Sequence, residues 1–179
     1  MLLLESNIKI NYMAISKKIL AYLSEKKYKF ETIEHRTTYT AWDTSQTEKV
    51  KPQEVAKSLV MKVDSKDYLA AVISANRNLD KKKLLKIINA GRKKAGEKNY
   101  KKIDFAKEAW MKKNLIGKVG AVPAFTGVLK LPVYVDNLIL KNKKIYIGSG
   151  EYESSFRILV SQYLKIEEPI KGSFSKSKK

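Results

Sequence analysis

Pro52-Gln53-Glu54-Val55-Ala56-Lys57-Ser58-Leu59-Val60-Met61-Lys62-Val63 is the stretch that decides the fold. Proline at a first helical position opens a short helical turn. Near Lys57 that turn gives way to an apolar strand, Ser58 to Val63. Lysine stands at the junction, between Val55-Ala56 and Leu59-Val60, where most folds place an apolar side chain. An arbitrary lysine in so basic a chain is a solvated one; the position makes this one a candidate functional residue. The next strand follows at once. Asp67 to Ser74 is rich in Tyr, Leu, Ala, Val and Ile, and Asp64-Ser65-Lys66 supplies turn residues, so the two strands are expected to form a hairpin.

Upstream, Ile15, Ile19, Leu20 and Leu23 recur at helical spacing, and Lys29 to Glu34 alternates like a half-exposed strand. A loop is expected through Thr40 and Trp42. Downstream, Asn78-Leu79-Asp80 reads as a cap before a helix over Lys81 to Asn89, whose Leu84, Leu85, Ile87 and Ile88 form an apolar face. Arg92 to Lys102 reads as a basic connection, and Asp104 as the cap of a helix carrying Phe105, Ala109 and Trp110. Val133-Tyr134-Val135 and Lys143 to Ile147 are two further strands. The segment through Phe156, Ile158, Leu159 and Leu164 fits either a strand or a helix. Alternation of this kind predicts a mixed α/β domain, and the sequence has neither a Rossmann fingerprint nor a P-loop.

The chain has 179 residues, 44% hydrophobic, enough for one domain with its own core. It contains no cysteine, which excludes disulfides, thiolate nucleophiles and cysteine-based metal sites and fits a cytoplasmic protein. His35 is the only histidine, so a His-based metal cluster is excluded and any Ser-His chemistry must use that imidazole. A lone histidine at a strand end is more often a hydrogen-bonding residue than a catalyst. The formal charge of +19 points to a polyanionic partner, although a lysine-rich proteome would raise it as well. Candidate phosphate contacts are Lys81, Lys82, Lys83, Arg92, Lys93 and Lys94. No membrane partner is expected, because no segment approaches a transmembrane length and no long basic amphipathic helix stands alone; no DNA partner is expected either. Residues 1–12 lack the pattern of a signal peptide, and Met13-Ala14 reads as an alternative start, which makes 1–12 an optional extension. Residues 13–168 are expected to form the domain, and 169–179, rich in Lys and Ser, a flexible basic tail.

Gly117-Lys118-Val119-Gly120-Ala121-Val122-Pro123-Ala124-Phe125-Thr126-Gly127 is a glycine-rich, nearly uncharged loop in this lysine-rich chain. Such loops often mark turns and nothing more. They also expose backbone N–H groups able to hold a carbonyl oxygen as charge develops on it. Gly148-Ser149-Gly150 is a second small-residue turn, with Ser155 close behind; no serine has a nucleophile-elbow context. Asp136 ends an apolar strand as a turn cap or a functional carboxylate.

With Glu34-His35 upstream, these segments resemble the YbaK-like aminoacyl-tRNA deacylases, relatives of the editing insertion domain of prolyl-tRNA synthetase. The resemblance covers about Ile15 to Glu167 and follows the order of landmarks: Glu-His, a Thr-Ala pair, Val-Ala-Lys, Leu-Asp, the Gly/Pro loop, a Val-Asp strand end and the Gly-Ser-Gly turn. It implies a compact mixed sheet, partly barrel-like, with helices around it. It also implies hydrolysis of the ester joining a wrong amino acid to the 3′ end of tRNA, without cofactor, metal or covalent nucleophile. On it, Lys57 and Gly120 are the catalytic candidates, with His35, Thr40, Ala121, Val122, Pro123, Gly148 and Gly150 as substrate contacts. Aminoacyl-tRNA is the partner, with an aminoacyl-tRNA synthetase as a further candidate. The family's loop reads Gly, three residues, then Pro; here Ala124 occupies that place and Pro123 comes one residue early. The alternative this leaves open is an inactive tRNA- or synthetase-binding module.

Overall fold

The computed structural model describes residues 15–64 and 66–178. The optional extension, the Met13-Ala14 start and Ser65 of the hairpin turn lie outside them. The hairpin forms as the sequence indicates. Strand β2, Ala56–Val63, pairs antiparallel with β3, Asp67–Ser74, in a register that sets Lys57 opposite Ile73 and Val63 opposite Asp67. The helical turn before it is a 3-10 turn over Pro52–Glu54, so the strand starts two residues earlier than expected. Lys57 therefore lies within the strand, where alternation fixes the face its side chain takes.

Three strands complete this five-stranded sheet. β5, Ile103–Phe105, flanks β2; β6, Val133–Asp136, runs parallel to β3; and β9, Ile170–Gly172, runs parallel to β6. A second, antiparallel sheet has β1, Phe30–Glu34, against β8, Ser154–Leu159, with β7, Lys144–Gly148, on the far side of β8. One parallel bridge, Val55 to Tyr146, links the two sheets. A short ladder joins β4, Arg77–Leu79, to β10, Ser175–Ser177.

The helices are α1, Lys17–Glu25; α2, Ala41–Thr47; α3, Lys81–Lys94; α4, Glu108–Asn114; α5, Thr126–Leu129; and α6, Val160–Glu167. One core, including Ile19, Leu23, Val60, Val72, Phe125, Ile147, Phe156 and Tyr163, fills the space between the two sheets and beneath α1, α5 and α6. A second lies on the other face of the five-stranded sheet, where Leu84 and Ile88 of α3 pack on Met61, Leu69, Ala71 and Ile73. Glu167 is a buried carboxylate at the first core. Tyr22 and Tyr28 hydroxyls and the Thr126 N–H all donate to it, so its charge is compensated without a cation.

Several elements correct the sequence reading. The loop at Thr40 to Trp42 is the start of α2: the Thr40 hydroxyl oxygen accepts the Asp43 N–H and its O–H donates to the Asp43 carboxylate, a local cap that outweighs weak helix propensity. Asp80 caps α3 as expected, accepting the Lys83 N–H. That helix runs five residues past Asn89, so Arg92, Lys93 and Lys94 are helical and not a connection. Asp104 caps nothing; it lies in edge strand β5, held by Lys81 and Lys102, and α4 begins four residues later. The segment with Phe156 and Leu164 is strand, then helix.

The largest correction concerns the stretch expected to be a mobile tail. Residues 170–177 form β9 and β10, and Phe174 between them is fully buried. Asp136, itself 1% exposed, accepts N–H bonds from Leu138, Phe174 and Ser175. Composition suggested mobility; one buried aromatic, worth roughly 2 kcal/mol, and a carboxylate with three donors hold the segment in place.

Candidate functional site

A cleft opens where α2, the start of β2, the glycine loop and the β7–β8 hairpin meet. Its interior is narrow, ≈ 20 Å³, and it is lined by His35, Ser58, Gly120, Ala121, Gly148 and Ser155, among others. With His35, Tyr146 and Glu151 among the larger ones, most of its lining residues are small. The glycines explain why. A Cβ on Gly148 would stand 2.6 Å from the Ala121 carbonyl oxygen, and one on Gly120 2.6 Å from that of Tyr39. Gly120 also has φ +93°, in the region that favours glycine. Only glycine lets these segments approach so closely.

The loop is stapled along its length. Gly150 N–H donates to the Ala121 carbonyl and Lys118 N–H to that of Gly150, at 2.9 and 2.8 Å. Ala124, in the place the family gives to proline, is fully buried, and its carbonyl accepts the Tyr163 hydroxyl at 2.6 Å. Rigidity thus comes from hydrogen bonds and packing, without a second proline. Among the described residues the N–H groups of the cleft-lining Gly120 and Val122 make no backbone hydrogen bond.

His35 follows β1, its backbone N–H fixed on the Glu153 carbonyl. Its Nδ1 lies 2.9 Å from the Arg36 carbonyl and its Nε2 3.0 Å from the Ser155 hydroxyl. Thr38 and Thr44 share a hydrogen bond across the cleft wall, and Ser149 binds Ser154 beneath the hairpin. Glu151 is held by Lys118 at 2.8 Å. Among the described residues the buried Ser58 hydroxyl has no hydrogen-bond partner, which makes it an unsatisfied polar atom at the cleft wall.

Of the expected site residues, the structure brings His35, Gly120, Ala121, Val122 and Gly148 together. Thr40 spends its side chain on the α2 cap, Pro123 is buried beside Gly117, and Gly150 lies behind the lining as a staple. Lys57 is not among the lining residues. Ala56 and Ser58 face the cleft, so Lys57 takes the opposite face with Leu59 and Met61, and its ammonium donates to the Arg77 carbonyl. Burial, and then the nearby Lys178 ammonium, lower its pKa. Lys178 itself lies over the Trp42 ring, 4.7 Å from its centroid, and Trp42 is 43% exposed. Of the α3 cations, Lys81 pairs with Asp104 and Arg92 with Glu97 while stacking on Tyr100, whereas Lys82, Lys83, Lys93 and Lys94 are exposed. The sequence reading missed Ser58, Thr38, Thr44 and Glu151. For Ser58 the signal was present, since strand parity sets it opposite to Lys57.

The family model of the aminoacyl-tRNA editing domain matches residues 35–166, from the cleft histidine to the end of α6. The chain belongs to that family, and its function is aminoacyl-tRNA deacylation in editing. Solved structures share the fold, among them the following two. A protein proposed as a trans-editing enzyme for prolyl-tRNA synthetase is 18% identical with TM-score 0.74, over 92% of this chain and all of its own. The hypothetical protein APE2540 is 17% identical with TM-score 0.74, over 89% of this chain and all of its own. No curated protein matches the chain. Among the described residues no helix is long and apolar enough to cross a membrane.

Proposed function

We propose that the cleft hydrolyses the ester between a small amino acid and the 3′ end of a mischarged tRNA, acting in trans in the cytoplasm. The observation that carries this reading is the close approach of Gly148 to Ala121, which leaves a cleft walled mostly by alanines, glycines and hydroxyls. Walls this close favour a small side chain at the cleft over a large one, which would meet backbone. The N–H groups of Gly120 and Val122 suit a carbonyl oxygen that gains charge during attack, an arrangement of fixed dipoles that costs no reorganisation. The ester is already activated, so its hydrolysis needs no covalent nucleophile.

The exposed lysines of α3 would hold the phosphate backbone without reading sequence. Lys57 would contact a phosphate near the 3′ end, away from the reacting ester; an anion there offsets both its burial and the repulsion of Lys178. A synthetase would be a partner only in delivering the charged tRNA. The inactive-module alternative loses its main support, because the departure at Ala124 leaves the loop held by Tyr163 and Gly150.

The test is a panel of mischarged tRNAs, including Ala, Ser, Cys, Pro and Phe esters, with micromolar protein. Small esters should disappear at least about tenfold faster than in buffer, and the Phe ester no faster. Binding of tRNA without loss of any ester would establish the inactive module instead.

A further inference from the structure

Resting on that reading, we infer that Ser155 and His35 form a proton relay that activates the attacking water. The carbonyl of Arg36 can only accept, so the proton of a neutral imidazole sits on Nδ1 and Nε2 is an acceptor. Ser155 Oγ, 3.0 Å from Nε2, then donates its hydrogen to the ring and keeps its lone pairs for the cleft. Both side chains line that cleft, and Ser155 is 4% exposed. Base, orienting acceptor and hydroxyl thus stand in hydrogen-bond sequence, the arrangement that activates an oxygen nucleophile. The pair joins residues 120 positions apart: Ser155 lies in β8 and His35 one residue past β1, the two strands being paired from Phe30–Ile158 to Glu34–Ser154 with Ile33 opposite Ser155. The His35 backbone N–H is itself fixed on the Glu153 carbonyl.

Water hydrogen-bonded to Ser155 Oγ attacks the ester carbonyl carbon, forming the new C–O bond. One water proton moves to Ser155 Oγ while the serine proton moves to His35 Nε2. As the tetrahedral intermediate collapses, the imidazolium returns that proton along the same path to the departing ribose oxygen, and the ester C–O bond breaks. Free amino acid and an unesterified tRNA 3′ end result, with serine and imidazole restored. Ser155 is the catalytic residue; His35 acts through it.

The experiment is single-turnover deacylation of the ester that the wild-type protein cleaves fastest, with tRNA binding measured alongside. Ser155→Ala and His35→Ala should each slow the chemical step about a hundredfold, the double variant being no slower than either. Binding should not change. Free imidazole should restore at least about tenfold to His35→Ala, which has a vacated ring site, and nothing to Ser155→Ala; a purely structural histidine would show no such rescue. Ser155→Thr keeps a hydroxyl and should retain most of the rate, which controls for damage to the fold. Because His35 is the only histidine, ¹⁵N spectra of the unliganded protein should show a single Nδ1–H ring whose Nε2 resonance moves in Ser155→Ala. Wild-type rates in Ser155→Ala, an Nε2–H tautomer, or an acyl-serine trapped in the quenched reaction would each overturn the relay. If the wild-type protein cleaves no ester, the proposed function falls and the relay with it; if only the variants behave otherwise, the relay alone falls.

Discussion

Strand β2 has two faces that do different chemistry. Ala56 and Ser58 look into a cleft of small groups and backbone dipoles, where the reacting ester would lie. One residue between them, Lys57 looks the other way, onto the Arg77 carbonyl, near Lys178 and on the side of the sheet that α3 covers. Separation by strand parity keeps the Lys57 ammonium off the cleft, while leaving it one residue from that site. Attraction for a polyanion and attack on an ester are thereby assigned to opposite sides of one peptide segment.

The severest way to break this picture is at the cleft. Gly148→Ala puts a methyl group 2.6 Å from the Ala121 oxygen and 2.9 Å from its carbonyl carbon, both backbone atoms that cannot swing aside. Deacylation should fall by a hundredfold or more, and melting should show a destabilisation of about 1–3 kcal/mol. Wild-type activity and melting temperature in this variant would mean that the two segments have room to separate.

Neighbouring alanine variants on β2 sharpen the comparison further. Ser58→Ala removes a buried hydroxyl that has no partner among the described residues, so stability should hold or rise by about 1 kcal/mol. Its kcat should drop roughly tenfold, with KM unchanged. Lys57→Ala should do the reverse, raising KM about tenfold and leaving kcat within about twofold, in contrast to the loss of turnover expected from the sequence. A collapse of kcat in Lys57→Ala would return the lysine to the reaction and merge the two faces.

The mildest effect belongs to α3. Alanine at Lys82 and Lys83 should lower the slope of log affinity against log salt by roughly 0.7–0.9 for each phosphate that is no longer neutralised. Every tRNA should be affected alike. Lys81→Ala should change the slope less, since Asp104 already occupies that ammonium. An unchanged slope in the Lys82 and Lys83 variants would place the tRNA elsewhere.

What could be read from the sequence was local. The hairpin of β2 and β3 showed itself by composition and turn residues within one short stretch, and Asp80 by its place before an apolar helix face. His35 and Gly120 are singled out by the order of landmarks in the family resemblance, since neither residue type carries that meaning alone. The rest depended on partners far along the chain. β5 is three residues long and makes sense only beside β2, which is why Asp104 looked like a cap. Ser155 gains its role from His35, 120 positions away, and no serine motif marks it. The basic stretch after residue 168 looked mobile because neither Asp136 nor the seat of Phe174 is visible from its own composition. Lys57 was found as a position but not as a direction, which the count from Ala56 and Ser58 would have supplied.

Asp136 and the segment it holds give the molecule an order of assembly in time. The carboxylate is made 38 residues before Phe174, the first of its two late donors. At synthesis rates of ~5–20 residues per second, that is about two to eight seconds during which the β9 side of β6 has no neighbour. An open parallel edge beside an anion awaiting two of its donors invites other extended chains. The seam closes only when β9 arrives, so a ribosome that stalls between residues 137 and 174 would release a nearly complete sheet whose unfinished edge is its aggregation hazard.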